Sequence, residues 1–244
     1  MRQAARDGRV FELLQALKFP LRRAPKDAPP TFFFHIPKCA GTSVWETLYH
    51  VYGARNVFIM NSARRRTQFV AMPLETRLAY SAVGGHGPLG YFHEHLGDMG
   101  RYHKIVTLRD PIDRSLSEYN YIRAQRAHPR HGEVAAQSLE EFATMTLRPD
   151  RQVTLLTGRH DDAEGAIEVV QSFFDDWALS DDVGALTNRL YQAIGTTPRP
   201  PQRKNVGNSG LRRADVAPPT LRLLEEQNRF DLALIEALKT ARGQ

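Results

Sequence analysis

The sequence predicts an α/β protein: a single domain with a central parallel sheet flanked by helices and a P-loop-like loop suited to a phosphate group. Three observations carry this. Short apolar runs at 31–36, 56–60, 81–84 and 103–108 alternate with stretches whose apolar residues recur at helical spacing, the pattern of a parallel α/β sheet. The stretch TFFFHIPKCAGTS, residues 31–43, joins a strand to a helix through a loop that carries a lysine. Three strands end at Lys38, His86 and Arg109, and parallel sheets bind ligands beyond the carboxyl ends of their strands.

Taken in order, Val10, Phe11, Leu13, Leu14 and Leu17 make a short amphipathic helix ended by Pro20, and 21–30 is a basic, proline-rich connection. The chain thus divides into 1–30 and a main domain, 31–244. Residues 31–36 are rich in β-branched and aromatic side chains and read as a buried strand. Pro37 stops the ladder because it has no N–H to donate. Beyond the loop, Val44, Leu48 and Val51 fall at helical spacing. Gly53 breaks that helix, 56–60 is a second strand, and arginine-rich 61–68 reads as a surface loop. Residues 73–80 are helical, and 81–88 is a short strand running into a glycine-rich turn.

Residues 103–108 form a clear buried strand, after which Asp110 suits an N-cap and Pro111 the first helical position. Ile112, Leu116, Tyr119 and Ile122 line one face of the following helix. A loop at 127–133 precedes Ser138-Leu139-Glu140-Glu141, a capping box that opens another helix. Residues 151–156 read as a helical turn closed by Gly158, 163–173 and 181–194 as helices, and 175–179 as an edge strand. A long loop at 196–210 leads to a final amphipathic helix at 221–238.

A net charge of +6 and a pI of about 9.6 point to an anionic partner without saying which. The densest basic cluster is Arg64-Arg65-Arg66, equally at home in a solvated loop. Cys39 is the only cysteine, so an intrachain disulfide and a Cys-based metal site are excluded. Charges interrupt residues 1–20, and no apolar run is long enough to span a bilayer; the expectation is a soluble cytoplasmic protein without a transmembrane segment.

A strand, a tight loop and a helix N-terminus hold a phosphate because the free amides and the helix dipole converge on one spot. The loop is close to a Walker A sequence but lacks G-x-x-x-x-G-K-[ST], its lysine preceding the glycine. At the fourth strand, Arg109 and Ser117, eight residues on, suit a grip on a phosphate. An ion pair of Arg109 with Asp110 or Asp113 is the plainer alternative.

Together, HIPKCAGTS and TLRDPIDRSLSEY resemble the two nucleotide-binding signatures of the carbohydrate sulfotransferases of the heparan sulfate 2-O/6-O type, sulfotransferase family 2. The matching residues are Pro37, Lys38, Thr42 and Ser43 in the first and Arg109, Asp110, Pro111, Arg114 and Ser117 in the second. The resemblance, which covers roughly 31–205, implies an enzyme that uses 3′-phosphoadenosine 5′-phosphosulfate (PAPS), releases adenosine 3′,5′-bisphosphate, needs no metal and sulfates a carbohydrate hydroxyl; the basic excess would suit an anionic acceptor. It implies that Lys38, Cys39, Ala40, Gly41, Thr42 and Ser43 hold the 5′-phosphosulfate, with Lys38 facing the leaving group, and that Arg109 and Ser117 hold the 3′-phosphate. It also implies that His86, in Gly85-His86-Gly87, is the catalytic base. His93, Glu94 and His95, read as part of the same loop, are competitors. Arg203, Lys204 and Asn205 would close over the phosphosulfate, and Gln152 would reach the adenine side. Cys39 lies where Lys38 and the helix dipole favour a thiolate, yet reads as a small loop residue and not a nucleophile. Two rivals stay open: a P-loop-type nucleotide kinase or NTPase, and a noncatalytic anion-binding module. The basic clusters lack the interleaved aromatics that a nucleic-acid platform would want.

Overall fold

In the computed structural model, which describes residues 28–198 and 210–243, five strands form one parallel sheet ordered β2-β3-β1-β4-β5. They are β1 (Thr31–His35), β2 (Val57–Met60), β3 (Ala82–Gly85), β4 (His103–Leu108) and β5 (Asp176–Leu179). β1 is central, with Phe33 opposite Gly84 of β3 and Ile105 of β4. The chain builds one side of β1 first and then crosses to the other, so the carboxyl end of β1 is the switch point where such sheets bind ligands. The sheet is buried on both faces. Phe32 and Phe34 pack into one apolar cluster and Phe33 into another, following the period-2 alternation of strand side chains.

Helix α1 (Gly41–Tyr52) covers the Phe33 face with Val44, Trp45 and Leu48. α2 (Ala63–Val70) and α3 (Leu74–Leu78) follow β2, α4 (Leu89–Leu96) follows β3, and α5 (Pro111–Ala124) follows β4. Then come α6 (His131–Val134), α7 (Leu139–Glu141), α8 (Arg151–Thr157), α9 (Ala163–Glu168), α10 (Val183–Ala193), α11 (Pro218–Gln227) and α12 (Arg229–Ala241). The capping box at Ser138 forms, with Glu141 returning a carboxylate to the Ser138 N–H at 2.7 Å. Asp110 caps α5 as the sequence predicts, its Oδ1 accepting from Ile112 and Asp113 N–H at 3.0 Å each.

Four expectations are corrected. The arginine-rich 61–68 is not a loop: Ser62 caps α2 by accepting from Arg65 N–H, and arginine is a good helix former. His93, Glu94 and His95 are not loop residues but lie on α4. The loop expected over 127–133 gives way to α6 from His131. The single helix expected over 221–238 is two, because the chain leaves the helix at buried Asn228, whose side-chain amide donates to Leu224 O at 2.8 Å. The short helix expected near residues 10–17 lies outside the described residues. Among the described residues, no helix is long and apolar enough to cross a membrane.

Candidate active site

The loop after β1 is built from two left-handed residues. Lys38 has φ 71° and Ala40 φ 58°, neither of them glycine. Each such residue costs about 1–3 kcal/mol, and such strain gathers at ligand-binding loops. Alternating hand curls the backbone into a concave run of amides, the geometry that holds anions. Ala40, the N-cap of α1, has no side chain able to cap it, so the positive end of the helix is left for another group.

Lys38 Nζ lies 3.8 Å from the centre of the Tyr121 ring on α5. Burial, then the neighbouring Arg109, push its pKa down from 10.5 to about 8, with Glu118 pulling the other way. From the end of β4, Arg109 Nη1 donates to the Lys38 carbonyl at 3.2 Å. The ion pair left open in the sequence is absent among the described residues, since Asp110 Oδ2 takes Arg213 at 3.3 Å. Two cations from adjacent strands thus flank an uncapped helix N-terminus. The matched Ser117 is half-buried on α5, two turns along from Arg109.

The third strand delivers His86. A Cβ on Gly84 would sit 2.0 Å from Phe33 O, and one on Gly85 2.5 Å from the Met60 carbonyl. Only glycines let β3 lie this close, and both adopt positive φ, at 148° and 145°. His86 follows at once, its N–H donating to Met60 O at 3.0 Å and its carbonyl accepting from Arg66 Nη1 at 2.8 Å. Burial, reinforced by Arg66, Arg151 and Lys38, drops its pKa to about 4. The ring is neutral at pH 7, with a lone pair free to take a proton.

Residues 25–178 match the model of the Sulfotransferase family. This chain belongs to the sulfotransferase family. No curated protein matches it. Membership makes it an enzyme of sulfuryl transfer, with a sulfate donor and an acceptor.

Other residues of this sulfotransferase take roles that differ from the sequence reading. Cys39 is not thiolate-prone: its side chain is fully buried and burial pushes its pKa up to about 12. Its N–H donates back to Ile36 O at 3.3 Å, closing the loop. Gln152 spends its amide on the backbone of Arg109, accepting from N–H at 3.0 Å and donating to C=O at 2.9 Å. It braces the backbone of Arg109, and the second N–H of its amide lies outside these two bonds. Arg114 of the second signature is fully buried and pairs with Glu118 at 2.9 Å. Glu94 points outward, its side chain 73% exposed. His93 packs on Phe173 and His95 on Tyr91. Lys204 and Asn205 lie outside the described residues.

Arg66 was read in the sequence only as part of a basic cluster. Besides bonding His86, it lines an open groove of about 450 Å³ between α2 and α4, with Ala63, Thr67, Val70, Ala71 and Tyr91. The sequence reading also passed over His35, the last residue of β1. Its ring centre is 4.3 Å from that of His86.

Proposed function

We propose that this sulfotransferase moves the sulfuryl group of PAPS to a hydroxyl of a carbohydrate acceptor, with His86 as base. The observation that carries the reading is the pairing of Lys38 and Arg109 beside the uncapped start of α1. Such a site calls for a strongly anionic ligand with charge at more than one point, which suits a nucleotide phosphorylated at both ends. When bound, the donor supplies a sulfuryl group joined to a 5′-phosphate leaving group, and a separate 3′-phosphate.

Lys38 and the amides of the Lys38–Ser43 loop neutralise the charge that grows on the 5′-phosphate as its bond to sulfur breaks. Arg109 and Ser117 hold the 3′-phosphate and so fix the nucleotide for in-line attack. His86 takes the proton of the acceptor hydroxyl while the new sulfur–oxygen bond forms. In the free protein burial, and after it the surrounding cations, depress His86; an anionic donor offsets the cations' share. The groove lined by Arg66 and Tyr91 is our candidate for the acceptor, with an aromatic wall for a sugar ring and a cation for an acidic substituent.

Calorimetric titration with adenosine 3′,5′-bisphosphate, ATP and single-stranded DNA tests the donor. Tight binding of the bisphosphate alone supports PAPS; preference for ATP supports the kinase alternative, and preference for DNA the noncatalytic module. Mass spectrometry of glycans incubated with the protein and labelled PAPS then tests the acceptor, with sulfated glycan as the result expected.

A further inference from the structure

His35 is held on every side. Trp45 Nε1–H donates to its Nδ1 at 3.0 Å. The Phe33 ring stacks on it at 5.2 Å and 13°. Gly41, the first residue of α1, lies against the imidazole so closely that a Cβ there would be 1.8 Å from Nε2. It also meets the ring of His86, edge-on at 73°. An imidazole whose Nδ1 lone pair accepts a hydrogen bond must, when neutral, carry its proton on Nε2. Burial, with His86 and Lys38 adding to it, keeps His35 neutral. The ring therefore has one tautomer and one orientation.

We propose that His35 is a positioning residue: Trp45 and Gly41 lock its ring, and the locked ring sets the plane of the His86 imidazole for taking the acceptor's proton. The two histidines come from adjacent strands, β1 and β3, which pair in parallel up to Phe34 and Gly85. His35 precedes the phosphate loop by three residues and touches its Gly41, so one side chain aligns the base with the loop. The inference rests on the reading of His86 as base.

The test uses the full chain. Trp45→Phe keeps an aromatic ring but removes the N–H; His35→Asn keeps an acceptor for Trp45 but removes the imidazole. Both are expected to lower kcat by about tenfold or more with the bisphosphate Kd within about twofold, the split that marks an effect on the chemical step. Imidazole ¹⁵N spectra should show His35 protonated at Nε2 in the native protein and a mixture of tautomers in Trp45→Phe. Melting curves separate loss of fold from loss of alignment, and Trp45→Phe serves if His35→Asn does not fold. Wild-type kcat in both variants, with His86→Ala inactive, overturns the role of His35 and leaves the base in place. A proton on Nδ1 of native His35 overturns it equally. Turnover in His86→Ala at near wild-type rate overturns the base and, with it, this inference.

Discussion

Arg109 reaches from the end of β4 to the carbonyl of Lys38 at the end of β1, 3.2 Å away. That bond holds the guanidinium beside the loop after β1, and it helps hold Lys38 in its left-handed conformation. Like charges are thus kept together by a backbone acceptor, and Arg109 adds to burial in depressing the lysine pKa.

Removing Arg109 or its support by Gln152 should weaken nucleotide binding. For Arg109→Ala the expected loss of affinity for adenosine 3′,5′-bisphosphate is large; a change under about threefold, roughly 0.7 kcal/mol, would set aside its assignment to the 3′-phosphate. Gln152→Leu leaves Arg109 in the chain but strips two hydrogen bonds from its backbone. Each buried group left unpaired costs about 1–3 kcal/mol, so calorimetry should find weaker binding together with a lower Tm.

The pH profile of kcat/KM in the free enzyme follows from two depressed groups. His86, at about 4, must be unprotonated to accept a proton, so activity should hold from neutral pH down to about that value and fall below it. Lys38, at about 8, must be charged, so activity should fall as pH rises through that value. The sign for stability differs. Between about 8 and 10.5 the unfolded chain holds the Lys38 proton and the native chain does not, so through this group stability rises with pH over that window. Lys38→Ala should lower kcat more than donor affinity and remove the alkaline limb; equal losses would make Lys38 a plain binding residue.

Gly41→Ala places a methyl 1.8 Å from His35 Nε2. No rotamer of alanine relieves that overlap, so either the His35 ring or the start of α1 must shift. Overpacking of this kind costs about 1–3 kcal/mol, readable as a drop in Tm. Turnover should fall as well, since His35 and the phosphate loop move together; wild-type kcat in a folded variant would show that the loop tolerates the shift.

Two helices cap each other by exchange. Asp231, on α12, accepts from Gln152 and Val153 N–H at the start of α8, at 3.1 and 2.8 Å. Asp150, before α8, accepts from Phe230 and Asp231 N–H at the start of α12, at 2.8 and 2.9 Å. Losing a cap costs about 0.5–2 kcal/mol. Asp150→Ala and Asp231→Ala should each lower the urea midpoint. Because Gln152 rides on α8, Asp231→Ala should also weaken bisphosphate binding through Arg109, whereas an effect on stability alone would uncouple the cap from the site.

What sequence reading recovered and missed follows the range of the interactions. The places of Lys38 and Arg109 beyond their strands were legible because each follows a strongly apolar strand and precedes a helix start. α2 and α4 were missed because they are short, eight residues each, and short helices draw their stability from packing and not from periodicity. In α2 only Phe69 is buried, too little to show a helical stripe. The break at Asn228 was hidden because no glycine or proline marks it.

By itself the sequence determined the order of the strands, the strand–loop–helix passage at 31–43, the capped start of α5 and the family signatures. All of these depend on residues within a few positions of one another, where period, proline, glycine and capping chemistry act directly. Only the tertiary structure decided the partners of those residues. It set His35 against His86 across two strands, and Gln152 against Arg109 from 43 residues away. It paired Asp150 with the start of α12, 81 residues on. It also turned Cys39 inward, where burial outweighs the nearby cations. The physical reason is that hydrogen-bond partners, desolvation and ring contacts depend on which strands become neighbours, and that order is fixed by packing of the whole sheet.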